Sequence, residues 1–274
     1  MARPTVFLVD NGSLRPESVL ALRRVATALE AQARRAVQAT ALLYSHEIPA
    51  EDLGGRAAES LEAAIRRRVA AGETRFVVLP FFFGPSSIMT IQLPERMRTL
   101  REEIGDFSLQ ITPPLAEEKQ TGDRVLTEIL AEQVRGVIGE WARPAVVLVD
   151  HGSPNPVVTA VRDRLGGLLQ AQLGDVAKCV RVASMERRPG KKYDFNEPLL
   201  AVALDVPELA EEKIVVALQF LLPGRHAGEN GDIAQICAAA EKRHPRQHIR
   251  MTPLVGEHPL LLDLLIRRLD ATEG

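Results

Sequence analysis

The sequence predicts an α/β protein built from two similar flavodoxin-like or Rossmann-like lobes. Each lobe is expected to be a roughly four-stranded parallel sheet covered by helices on both faces. Two observations carry this. Short β-branched runs alternate with longer amphipathic stretches, and the strand candidates are almost continuously apolar, as strands buried on both faces are. The same pattern also occurs twice. Val6-Phe7-Leu8-Val9-Asp10-Asn11-Gly12-Ser13 is echoed by Val146-Val147-Leu148-Val149-Asp150-His151-Gly152-Ser153, an offset of 140 residues (151 less 11). The offset recurs where residues 111–115 align with 251–255. A duplicated scaffold with a histidine at this turn in one copy only points to one working site and one supporting half.

The predicted strands cover residues 5–9, 37–43, 75–83 and 107–111 in the first half, and 145–149, 179–183, 213–222 and 248–251 in the second. Helical patterns fill 17–33, 59–71, 157–172 and 232–243; in the last, Ile233, Ile236, Cys237 and Ala240 share one face. A helix over 121–141 is expected to bridge two modules, 1–140 and 141–274, with Arg143-Pro144 closing the link. Gly12 and Gly152 each follow a strand directly, as tight strand-to-helix turns require.

Bulk properties narrow the function. The chain has 274 residues, 46% hydrophobic and 26% charged, with a net charge of −2. That balance argues against a general nucleic-acid or membrane-surface role. Cys179 and Cys237 show no CxxC spacing, so neither a cysteine metal motif nor a disulfide framework is expected. There is no signal-peptide pattern at the start and no apolar run of about 20 residues, so a cytoplasmic location is expected. A Walker loop and a GxGxxG motif are both absent, which leaves nucleotide dependence without support.

Topology brings the chemistry together. In a doubly wound order 2-1-3-4, the first and third strands of each half are neighbours. His151 ends the first strand of the second half, Glu186 lies just past the second, and His226 follows the third. All three are expected at the carboxyl edge of one sheet, where open α/β sheets bind ligands. Two imidazoles and a carboxylate suit a borderline divalent ion such as Co²⁺, Fe²⁺, Ni²⁺ or Zn²⁺. In the first half Asn11 and Ser87 occupy the histidine positions.

These residues resemble the sirohydrochlorin chelatase family, the small class II chelatases of cobalamin and sirohaem biosynthesis. The resemblance rests on His151-Gly152-Ser153 after a strand and on Phe220-Leu221-Leu222-Pro223-Gly224-Arg225-His226 followed by Gly231-Asp232-Ile233. Glu257-His258-Pro259-Leu260 matches the family's closing segment. The resemblance implies a lyase-class enzyme that inserts Co²⁺ or Fe²⁺ into sirohydrochlorin without ATP, in a cleft between two lobes. Module 141–274 would be active and module 1–140 would serve as cleft wall and scaffold. His151, His226 and Glu186 are then the metal-binding and catalytic residues, with Glu197 an alternative to Glu186. The metal is substrate: cobalt by preference, Fe²⁺ or Ni²⁺ otherwise.

Arg187, Arg188, Lys191 and Lys192 form a cationic loop suited to the eight carboxylates of sirohydrochlorin. Arg225, Arg187, Arg188 and Ser153 are therefore the expected substrate contacts. Phe81, Phe82, Phe83, Ile88 and Met89 are candidates for an apolar wall, with core packing the preferred role for at least Phe81 and Phe83. The expected assembly is a monomer or homodimer. A non-catalytic carrier of metal or tetrapyrrole is the alternative reading.

Overall fold

The computed structural model describes residues 3–116, 121–210, 212–228 and 230–272. It contains two four-stranded parallel sheets. The first is built from β1 (Thr5–Asp10), β2 (Val37–Ala41), β3 (Arg75–Pro80) and β4 (Ser108–Ile111). The second is built from β5 (Ala145–Asp150), β6 (Cys179–Ser184), β7 (Lys213–Leu218) and β8 (His248–Met251). Their orders are β2-β1-β3-β4 and β6-β5-β7-β8, the doubly wound arrangement expected. β1 and β5 are apolar and buried throughout their middles because both faces of each sheet are covered. The strands after the first crossover are shorter than their apolar runs, β3 stopping at Pro80 and β7 at Leu218. Beyond those points the backbone turns toward the loops that end each sheet.

Helices α1 (Pro16–Ala33) and α5 (Pro156–Leu173) both start on proline, whose missing N–H costs nothing in a first turn. Asn155 caps α5 by accepting the Val157 N–H at 3.1 Å. Between them lie α2 (Leu61–Ala70), capped by Ser60, α3 (Leu93–Ile104), which follows a π-helical turn over Ile88–Gln92, and α4 (Thr121–Ile138). The chain continues through α6 (Leu200–Leu204), α7 (Asp232–Arg243) and α8 (Pro259–Asp270). Phe7, Phe76 and Phe107 stack in the first core at centroid distances of 5.7 and 5.8 Å. Phe81 and Met89 are buried in that region, whereas Phe82, Phe83 and Ile88 are partly exposed.

The compact units do not coincide with the two sequence modules. One compact unit comprises residues 1–117 together with 259–274, and the other comprises 118–258. Helix α4 therefore does not bridge two modules; it packs on α5, β7 and β8 of the second sheet. Its anchors are specific. Arg164 pairs with the buried Asp123 at 2.6 Å, and Gln133 donates to the Leu254 carbonyl at 3.0 Å. Arg250 donates to the last carbonyls of α4, Val137 and Ile138, at 3.0 and 2.7 Å, while stacking on Trp141 at 3.9 Å. Helix α8 packs instead on α1 and β3 of the first unit, burying Leu261, Leu264, Leu265 and Leu269. Each repeat thus surrenders its last helix to the other sheet.

The first unit also contains a buried acid. Asp10 closes β1, is 9% exposed, and accepts the Gly12 N–H at 3.0 Å. Burial pushes its carboxyl up to about 7. Arg23, Glu30, Arg56, Glu59 and Arg68 are the charged groups lining the cavity beside it. A carboxyl raised in the folded state favours folding below the ordinary aspartate range, and that contribution is lost as pH rises through about 7. Stability should therefore fall between about pH 4 and 7, by something on the order of 4 kcal/mol. Asp10→Asn should flatten that fall, as urea melts of both proteins at pH 5 and pH 8 will show.

Candidate active site at the strand ends of the second unit

The site begins where β5 stops. Gly152 has φ +91°, and a Cβ there would lie 1.9 Å from the Glu186 carbonyl oxygen. Only glycine allows this approach of one backbone to another. The contact locks the two loops in register: Met185 N–H donates to the Asp150 carbonyl at 2.8 Å, and Glu186 N–H to that of His151 at 3.2 Å. Glu186 is thereby held beside His151, with its Oε1 3.6 Å from His151 Nε2. The first unit repeats the device with Gly12, at φ +94° and against the Leu43 carbonyl, but carries Asn11 in place of the histidine.

His226 arrives from the loop after β7. Gly231 is pressed against the His226 carbonyl, which accepts the Ile233 N–H at 3.1 Å and so ties the loop to the start of α7. The two imidazole rings stand edge to face, with centroids 4.7 Å apart and planes at 68°. Their tautomers follow from their partners. His226 Nδ1 meets Asp232 Oδ2 at 2.7 Å, and His151 Nδ1 meets the Gly152 carbonyl at 3.0 Å. Both partners accept, so each Nδ1 carries the hydrogen and each neutral ring keeps its lone pair on Nε2. That is the form in which imidazole binds a metal ion.

Beneath His151 lies a polar network that sequence reasoning missed. The Ser184 hydroxyl donates to Asp150 Oδ1 at 2.6 Å, and Arg162 Nη1 donates to the Ser184 oxygen at 2.6 Å. The same Nη1 reaches the Asn196 carbonyl at 3.0 Å and stands 3.9 Å from Asp150. Asn196 then accepts from the Ser153 N–H at 2.9 Å and the Thr159 hydroxyl at 3.0 Å. Arg162 is 1% exposed, and Ser184 and Asn196 are fully buried. Burial raises the Asp150 carboxyl, with Ser184 and Arg162 pulling it back down. The network clamps the end of β5 to α5 and to the loop over 191–196. Its one sequence signal is an arginine on the face that Val161, Leu165 and Leu169 bury.

The other expected residues fall in different places. Glu197 accepts from Arg187 Nε at 2.5 Å and from the Leu199 N–H at 3.0 Å, so of the two glutamates it is Glu186 that faces His151. Arg187 is held by Glu197 and by Asp194 at 3.4 Å, which engages its guanidinium within its own loop. Arg188 is exposed, and Lys192 lies over the Tyr193 ring at 5.0 Å. The Ser153 hydroxyl accepts the Asn155 N–H at 3.0 Å at the approach to α5. Arg225 is 72% exposed next to His226, with Nε 3.6 Å from Asp232. His258 pairs with Glu132 at 3.3 Å, and His244 with Asp205 at 3.2 Å. Among the described residues, no three His, Cys, Asp or Glu side chains already stand at metal-ligating separations.

The CbiX profile matches residues 5–135 and again 145–272, nearly the whole chain as two tandem copies. The chain belongs to the CbiX family. Among solved structures, SirB from Bacillus subtilis with Fe³⁺ is similar at a TM-score of 0.73 and 14% identity, covering 99% of this chain and 96% of that one. The sirohydrochlorin chelatase SirB from Bacillus subtilis subspecies spizizenii, in complex with cobalt, is similar at 0.72 and 14%, covering 99% and 95%. A structure of CbiX described as the terminal enzyme for siroheme biosynthesis in denitrifying bacteria gives 0.60 and 16%, covering 97% and 98%. No curated protein matches by sequence. The CbiX fold of this chain is thus the two-sheet α/β architecture, and its two family copies coincide with the internal repeat.

Proposed function

We propose that this CbiX-family chain is a sirohydrochlorin chelatase, a lyase that inserts a divalent metal ion into the tetrapyrrole without ATP. The observation that carries the reading is the meeting of His151 and His226 at 4.7 Å, with Glu186 3.6 Å from His151, at the carboxyl ends of three adjacent strands. The metal is substrate and must be surrendered, which suits a loosely gathered ligand set better than a closed four-ligand cage. Co²⁺ is the preferred cargo and Fe²⁺ the next; structural relatives have been solved with both elements. The product then serves the cobalamin or the sirohaem branch, in the cytoplasm.

The residues divide the work. Neutral Nε2 atoms of His151 and His226 hold the incoming ion, and Asp232 keeps the second ring in the required tautomer. Two pyrrole N–H protons must leave as the metal enters the ring. Glu186, exposed and next to His151, accepts them, or a histidine released from the metal does. Arg225 and Arg188 are the exposed guanidinium groups for the substrate carboxylates, whereas Arg187 is engaged with Glu197 and Asp194. The first unit offers Asn11 and Ser87 at the histidine positions and acts as scaffold.

A multiple-turnover assay with sirohydrochlorin and Co²⁺, Fe²⁺ or Ni²⁺ in turn, followed by the tetrapyrrole absorbance, tests this. Glu186→Gln should lower kcat/KM about a hundredfold or more. Glu197→Gln should stay within about threefold, because that carboxylate only braces its loop. Turnover that stops at one equivalent would mark a carrier in place of an enzyme.

A further inference from the structure

The polar network under His151 has a hollow counterpart in the first unit. Helices α1 and α5 are both 18 residues long and keep the 140-residue offset, so Thr159 and Arg162 correspond to Val19 and Leu22. Strand register pairs Asp150 with Ser184 and Asp10 with Ala41, so Ser184 corresponds to Ala41. Isolated bridges join Ser184 to Leu199 and Ala41 to Ser60. Three residues before each bridge partner stand Asn196 and Ala57. Four of the five polar members have therefore become Val19, Leu22, Ala41 and Ala57, and only the aspartate survives, as Asp10.

All five of these first-unit residues line one cavity of about 350 Å³, between α1 and the edge strand β2. Leu22 leaves open the space that the Arg162 side chain fills in the second unit, while Arg23 donates to the Ala57 carbonyl, the counterpart of the Asn196 carbonyl, at 3.0 Å. Asp10 reaches this cavity held by backbone N–H groups, that of Gly12 at 3.0 Å among them, and without a counterpart of the guanidinium that faces Asp150. A buried carboxylate beside a void is costly, and a cation that pairs with it removes that cost.

We propose that this cavity is a binding site for a small organic cation with a guanidinium or primary ammonium head, which pairs with Asp10. The second unit shows what the place accepts, because there the Arg162 guanidinium sits between Ser184 and Asn196, 3.9 Å from the equivalent aspartate. Ala39, Ala41, Ala57 and Leu22 leave room for an alkyl chain behind the head, and Glu30 and Glu59 on the same lining offset Arg23, Arg56 and Arg68. The site is separate from the histidine cluster, which lies in the other unit.

Calorimetric titration at pH 8 with n-butylguanidinium and with its uncharged isostere n-butylurea tests the site. The expected result is saturable one-to-one binding of n-butylguanidinium and at least tenfold weaker binding of n-butylurea. Asp10→Asn, which keeps size and shape, should weaken n-butylguanidinium at least tenfold. Leu22→Arg, which installs the side chain of the other unit, should abolish binding. The discrimination between the two probes needs no variant, so the test stands even if Leu22→Arg fails to fold. Absence of saturable binding, equal binding of both probes, or an unchanged affinity in Asp10→Asn would overturn the proposal.

Discussion

Alanine at His151 or at His226 is expected to end metal insertion while leaving the protein folded. The His151 ring is half exposed and its one ring hydrogen bond goes to the neighbouring Gly152 carbonyl, so its removal costs little stability. His226 is more enclosed, but Asp232 keeps the Arg225 guanidinium 3.6 Å away when the imidazole is gone. What is lost in either case is one of two nitrogen donors that face the incoming ion. A single imidazole and one carboxylate bind a borderline divalent ion far more weakly than two imidazoles do. Turnover should fall by about two to three orders of magnitude in each variant, with thermal melting shifted by only a few degrees. Full activity in both single variants would remove the basis of the functional reading.

The second large effect is on stability. Arg162→Met should destabilise the second unit by about 3–5 kcal/mol, the cost of leaving a buried charge and its hydrogen-bonding neighbours without their partner. Arg162 alone serves the Ser184 hydroxyl and the Asn196 carbonyl, and stands 3.9 Å from Asp150. Methionine fills much of the volume and offers no donor. The Asp150 carboxyl, already raised by burial, would lose the guanidinium that draws it down. The deficit should therefore widen as pH rises. Urea unfolding of the variant at pH 6 and pH 8 measures both effects. A loss under about 1 kcal/mol at both pH values would mean the network is dispensable. Because the clamp sits under the turn that carries His151, the variant is also expected to lose activity at temperatures where it remains folded.

Much of this architecture was legible because it is written in local pattern. The apolar runs of β1, β5, β3 and β7 and the repeated strand–Asp–X–Gly–Ser turn gave the strand order, and the order alone brought His151, Glu186 and His226 to one edge. The exchange of α4 and α8 was not legible. An amphipathic helix displays an apolar stripe but does not say which sheet will receive it, and Arg250, Arg164 and Gln133 look like ordinary surface residues until the helix is in place. The partners of Arg187 were hidden for a related reason. Charge composition cannot reveal that Glu197 and Asp194 fold back upon it. Asp232 was read only as part of a motif, although its place six residues after His226 puts it on the first turn of α7, within reach of Nδ1. Arg162 was hidden by periodicity, which counts an arginine on a helix as solvent-facing.

The traded helices bear on how the chain is born. Synthesis runs from lower to higher residue numbers, and domains close as soon as their parts have emerged. Residues 118–258 are contiguous, so the unit with the histidines has every strand and helix it needs before α8 is translated. The unit that begins the chain must wait. Until residues 259–270 leave the ribosome, β3 and α1 lack the leucine face of α8 that covers them. The half made first is thus the half completed last, and the half that carries the chemistry is ready before its older sibling.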